Sequence, residues 1–418
     1  MEQGRDRKSD VPVFKEWILP EMTIRGGGAP WTSRGQVRVF ADSRVEIRFT
    51  YVHPVRHSQD VPHRVRIAGK TRDGFRLEEV DAVLVGIQPV TRRKTDVVFI
   101  PYRCVLSRES QAPIRLARYY LKNLSVYAGV AKVEDGRYRA SLSPRGAYEP
   151  FRFGAYLDVT GGRLARAKAD ELAEDVARLV TVASRCPVVP CFREYHSSSR
   201  IQRYEFFSNS WDFKPMRNVI ALVGDEMGEF LSKTLGNYRA AKAPWRASLL
   251  VEYFWRAHQE TTAELQFLLL SVFMESVKFN FARNVAKHAT KKNSNGTIRD
   301  FFSASNVKLG FRDLLIEAGN HLGVPKVDKR MGFIANRNCI FHSGQSSYSQ
   351  LGQRNTYLPL KGELRRLYDL ADDFMLHLLG YKGPFHAYGD PERLRMYPSR
   401  RRQRRRRVPG IPLMPSGV

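Results

Sequence analysis

From Trp245 onward the spacing of apolar residues changes period, and that change limits the folds open to this chain. Before it, short runs alternate apolar with polar residues. Val37-Arg38-Val39-Phe40 does so, as does the run from Val45 through Glu46, Ile47, Arg48 and Phe49 to Val52. Successive strand side chains point to opposite faces, so a period of two marks half-buried strands. Residues 64–67, 75–77, 97–100, 130–133 and 138–142 are further strand candidates. Asp73-Gly74 and Asp135-Gly136 supply hairpin turns between them. Helical spacing appears at 169–184, through Leu172, Val176, Leu179 and Val180, and again at 219–235. The early part of the chain therefore predicts an antiparallel β-sandwich or barrel-like domain.

After Trp245 apolar residues recur at helical spacing. Candidate helices cover 246–258, 261–281, 311–322, 328–341 and 363–379. Thr261 or Thr262 can cap the second of these, with Glu264 in its first turn. That helix is apolar nearly all round, which predicts burial on most sides. Residues 291–297, with Asn295-Gly296, predict a loop. Residues 246–383 thus predict a compact helical bundle.

The chain carries 69 Lys+Arg against 42 Asp+Glu, a formal charge of +27. A surplus of this size implies a polyanionic partner, with nucleic acid ahead of an anionic membrane surface. Its densest block is Arg400, Arg401, Arg402, Arg404, Arg405, Arg406 and Arg407, interrupted only by Gln403. Such a self-repelling segment cannot bury a core, so 384–418 predicts a disordered tail able to bind phosphates by counterion release. A plain solvated tail has the same composition. The absence of a long apolar run or an apolar leader predicts a cytoplasmic protein with no membrane partner. Four cysteines in 418 residues fit a reducing compartment.

Several motif-like strings lack their context. Ala68-Gly69-Lys70-Thr71 resembles the end of a phosphate-binding loop, but Arg64 stands where its first Gly is needed. Cys186 and Cys191 have no second pair at zinc spacing, so no metal or other cofactor is expected. Tyr195, Tyr204, Phe206, Phe207 and Trp211 lie among Arg193, Arg200 and Arg203. That mixture suits either core packing or base stacking along a single strand.

The chemistry-bearing segment is Asn336-Arg337-Asn338-Cys339-Ile340-Phe341-His342, which contains Arg-Asn-x-x-x-His. It resembles the nuclease motif of HEPN domains, and most nearly the ApeA-like type of prokaryotic defence systems. Those proteins place a helical HEPN domain after a β-rich N-terminal domain. Arg283-Asn284-Val285-Ala286-Lys287-His288 satisfies the same string. The later copy is preferred because it lies near the end of a late helix, whereas the earlier one sits at a basic helix terminus. Glu275 lies mid-way along the apolar second helix, on a face with Leu268, Val272 and Phe279. A carboxylate there is costly to bury unless paired. The resemblance implies an acidic residue at this point facing the motif, with Arg337 as its partner.

The resemblance implies the following expectations. The fold is α+β and multidomain: a β-rich sensor or targeting domain over 1–195, a mixed connection over 196–245, an all-α HEPN bundle over 246–383 and the basic tail. The activity is metal-independent endoribonuclease cleavage in anti-phage defence or growth arrest, by a homodimer whose N-terminal domain meets a phage-derived trigger or an inhibitory partner. His342 serves as general acid or base. Arg337 clamps the scissile phosphate. Asn338 orients the His or the phosphate, and Glu275 holds Arg337. The competing expectations are a non-catalytic nucleotide- or RNA-binding module and a basic nucleic-acid-binding protein.

Overall fold

The structure, a computed structural model, describes residues 13–26, 30–51, 62–91, 94–124, 129–144, 153–198, 200–208, 218–220, 223–343, 357–388 and 394–396. Seven strands begin it: β1 (Val13–Arg25), β2 (Trp31–Phe40), β3 (Val45–Tyr51), β4 (Arg64–Lys70), β5 (Arg76–Thr91), β6 (Lys94–Pro101) and β7 (Arg103–Ser107). The first six close on themselves as an antiparallel barrel, in the order β4-β1-β2-β3-β6-β5 with β5 returning to β4. Bulges between Leu19 and Met22 in β1 and between Leu84 and Gly86 in β5 provide the bends that closure requires. The inward residues are those that the alternation predicts, including Val37, Val39, Ile47, Phe49 and Ile67. Gly69 lies in β4, opposite Met22 of β1, where an added Cβ would stand 2.9 Å from the Glu21 carbonyl. The Ala68-Gly69-Lys70 string is therefore strand backbone.

The same sheet continues through β8 (Leu116–Lys122), β9 (Ala131–Asp135), β10 (Tyr138–Pro144), β11 (Phe153–Thr160), β12 (Val189–His196) and β13 (Ile201–Phe207), thirteen strands in all. Helix α1 (Arg166–Ser184) lies on β8, β10, β11 and β12, and α2 (Gly224–Ala241) lies on β9. Strand β8 shows how two cores share one sheet. Its Ala117, Tyr119 and Leu121 belong to the core under the helices, while Tyr120 belongs to the barrel core.

The remaining helices are α3 (Ala247–Gln259), α4 (Ala263–Asn280), α5 (Phe311–Leu322), α6 (Phe333–Ser343) and α7 (Tyr357–Leu378). Helix α4 packs against all four others. Its end loosens into a π-helical turn, Phe281–Val285. Thr262 takes the N-cap position of α4 with extended backbone, but its side chain makes no capping bond. Residues 328–341, read as one helix, divide into a 3₁₀ turn, Val327–Arg330, and α6.

This arrangement corrects the expected all-α bundle over 246–383. The helices do not close a core among themselves. Phe254, Phe273 and Leu370 share one continuous core with Leu157 and Val159 of β11 and with Leu179 of α1. A three-stranded antiparallel sheet, β14 (Ala289–Lys292), β15 (Ile298–Phe302) and β16 (Lys308–Leu309), also stands between α4 and α5. Helical periodicity identifies the apolar face of a helix but not what covers it. Here α1 and α2, which themselves lie on the large sheet, cover part of it. A short hairpin, β17 (Pro384–His386) with β18 (Leu394–Met396), follows the last helix. The expectation of a β-rich N-terminal part agrees with the structure.

Candidate functional site

Helix α6 is fixed by its inner face. Phe333 and Ile340 are buried in the helical core. Asn336 is 2% exposed, and its amide donates to Glu363 Oε2 of α7 at 2.6 Å. A buried amide with a carboxylate partner is satisfied, so this bond anchors the helix. With Asn336 turned inward, Arg337 and Asn338 emerge along one side, and Phe341 and His342 lie one turn further on.

Arg337 is held from several directions. One Nη donates to Glu275 Oε1 of α4, and the other donates to Asn338 Oδ1 at 2.8 Å. Its guanidinium lies 4.6 Å from the ring centre of Phe311 and 5.2 Å from that of Phe341. Aromatic faces attract a cation and fix its plane. The Arg337 Nε is buried with no hydrogen-bond partner. The second carboxylate oxygen of Glu275 meets Lys278 Nζ at 2.6 Å, one turn along α4. Two cations therefore offset the cost of half-burying Glu275, whose side chain is 29% exposed. Two positive charges against one negative leave the cluster able to attract a phosphate-sized anion.

The structure thus brings Glu275, Arg337 and Asn338 together and leaves His342 apart. His342 is exposed, and no hydrogen bond ties its ring to another described residue. It lies five residues beyond Arg337, or about 7.5 Å along the helix axis. The second copy of the motif is committed elsewhere. Asn284 donates to the Pro244 carbonyl at 2.8 Å, and the His288 ring shares a hydrogen bond with Glu317 at 3.0 Å.

Sequence reasoning missed Phe311 and Lys278. The spacing of Glu275 and Lys278 marks an ion pair on any helix, so Lys278 had a local signal. Phe311 had none, since it reaches Arg337 only through the packing of α5 on α4. Tyr195, Tyr204 and Phe206 are buried in the sheet cores, and Arg203 pairs with Glu78 at 2.5 Å. Phe207 is half-buried, and Trp211 lies outside the described residues. The arginines 400–402 and 404–407 also lie outside them. Cys186 and Cys191 are buried, their thiols pushed up to about 12 by burial. No His, Cys, Asp and Glu grouping suited to a metal occurs among the described residues.

One span, Ala263–Val285, is long and apolar enough to cross a membrane, which the sequence reading did not anticipate. Half of its most apolar window is buried inside the fold, as in a core helix. On its outer side Leu265 is 46% exposed, and Leu268, Leu269 and Val272 are half-buried. Comparisons with known protein families, curated proteins and solved structures found no match.

Proposed function

We propose that this chain is a metal-independent endoribonuclease working through Arg337 and His342, in cytoplasmic anti-phage defence or growth arrest. The observation that carries this reading is the held guanidinium of Arg337, with a buried Nε that has no hydrogen-bond partner among the described residues and a positive surplus around it. RNA supplies its own nucleophile. The 2′-oxygen attacks the adjacent phosphorus, the bond to the 5′-oxygen breaks, and a 2′,3′-cyclic phosphate and a 5′-hydroxyl result. Arg337 binds the phosphate and stabilises charge on it in the transition state. His342 takes the proton from the 2′-hydroxyl or gives one to the departing 5′-oxygen. A homodimer supplies two such histidines. The exposed Phe341 and the outer leucines of α4 offer apolar surface for that contact. The barrel then serves to sense a trigger.

A second reading has its own support. Among the described residues His342 has no hydrogen-bond partner to orient it, which suits a module that binds RNA or nucleotide without cleaving it. Incubating purified protein with RNA in EDTA separates the two. The nuclease reading expects cleavage with cyclic phosphate ends, abolished by His342→Ala and retained by His288→Ala. RNA binding without cleavage by the unaltered protein would leave the second reading standing.

A further inference from the structure

A second place in the fold combines cations with aromatic rings, away from Arg337. A cleft of about 690 Å³ lies where the sheet meets α1 and α3. Small-molecule sites span roughly 300–1,000 Å³, so its size suits a ligand rather than a few waters. Tyr102, between β6 and β7, stands at its rim and is 79% exposed. Phe207, at the end of β13, and Trp255, on α3, line it as half-buried rings.

The cations there are poorly used. Arg193 of β12 lies with its guanidinium 4.8 Å from the ring centre of Phe207. Asp170 and Glu174 are each 3.4 Å away, the Tyr195 hydroxyl and the Glu205 carboxylate also favour its charge, and its Nε is buried without a hydrogen bond. Charge-assisted bonds normally close to about 2.7–2.9 Å, so these contacts leave much of the guanidinium's capacity open. Among the described residues, Arg178 of α1 donates only to the Ser248 carbonyl, at 3.3 Å. Arg256 is the exception, paired with Glu252 at 2.6 Å. Arg193 and Arg256 thus have carboxylate partners, while Arg178 meets the cleft with only a long bond to a carbonyl. An anion entering it would displace Glu174 from a long contact and complete Arg178 and Arg193 with short ones.

Rings that stack on flat heterocycles, beside guanidinium groups with open donors, define the ligand class. We infer that this cleft binds a nucleoside phosphate, with its base among Trp255, Phe207 and Tyr102 and its phosphate on Arg178 and Arg193. The site draws walls from both the sheet and the helices. It does not depend on the nuclease reading of Arg337.

Calorimetric titration of the full chain with AMP and ATP tests the inference, with adenosine and inorganic phosphate as separate arms. The expected result is nucleotide binding with a Kd below about 1 mM, weaker by at least about tenfold for adenosine or phosphate alone. Arg178→Ala and Trp255→Ala each weaken nucleotide binding by about tenfold or more, whereas Arg337→Ala leaves it unchanged. Trp255→Phe keeps a stacking ring and retains most of the affinity, which separates lost stacking from lost folding. No nucleotide binding at about 1 mM overturns the inference. So does binding that survives Arg178→Ala and Trp255→Ala, or binding lost only in Arg337→Ala.

Discussion

Replacing Glu275 by Gln tests whether the carboxylate on α4 positions Arg337. The substitution keeps the shape and removes the charge. In the native protein Arg337 has one charge-assisted bond to Glu275, a second bond to Asn338 at 2.8 Å and ring contacts with Phe311 and Phe341. A hydrogen bond to a charged group contributes about 1.5–3 kcal/mol. Two features reduce that here. The pair is partly open, with side chains 20% and 29% exposed, and Glu275 divides its charge with Lys278. Loosening Arg337 should then cost about 1.4 kcal/mol at the transition state, or about tenfold in kcat/KM for RNA cleavage. Asn338→Ala removes a neutral partner and should cost less, about threefold. Arg337→Ala removes the proposed phosphate clamp itself and should cost about 100- to 1,000-fold. A fluorogenic RNA cleaved in EDTA gives these ratios, and RNA affinity measured in His342→Ala shows how much of each loss is binding. A positioning role for Glu275 fails if Glu275→Gln cleaves within twofold of the unaltered protein. It also fails if that variant is as impaired as Arg337→Ala, because Glu275 would then be acting on substrate directly.

Three further outcomes are expected. Residues 246–383 produced alone should show no cooperative thermal transition by circular dichroism, since their core is completed by β11, α1 and α2; a sharp transition would restore an independent helical domain. Phe254→Ala, at a fully buried position, should lower the unfolding free energy of the whole chain by about 3–5 kcal/mol in urea. Glu194 is held below the usual carboxylate value of 4.5: burial works against this, but its bonds to His196 and Lys15 outweigh it. Its contribution to stability is thus present above pH 4.5 and lost as pH falls through its lowered folded value, and Glu194→Gln should flatten acid unfolding in that range.

What could be read in advance depended on how many faces of an element are buried. Strand β3 announces itself because Val45, Ile47 and Phe49 point inward while Arg48 and Thr50 are only half covered. Strand β8 does not, because Tyr120 and Lys122 are buried along with Ala117, Tyr119 and Leu121, so no alternation survives. The strand Ala289–Lys292 escaped for the opposite reason: all four residues are exposed and carry no apolar signal. Glu275 and Arg337, 62 residues apart, could be matched because a lone carboxylate on an apolar helix needs a cation. The ring of Phe311 and the isolation of His342 depend on how α5 and α6 are set against α4, which no local pattern encodes. The all-α expectation failed on the same point, since the sheet that shares the helical core lies far back in the chain.

The order of strands in the large sheet has a consequence for how the protein is made. Strands β1 to β7 and strands β8 to β11 are synthesised first, yet within the sheet they touch only through β12 and β13, which come after α1. Until residue 207 has left the ribosome, the facing edges of β7 and β8 have no strand between them. Open edges invite pairing with other chains. The hairpin that arrives late closes both at once, with Phe192 and Phe206 entering the barrel core and Tyr195 entering the other. A nascent chain paused before that hairpin is therefore the form most exposed to sticking to its neighbours.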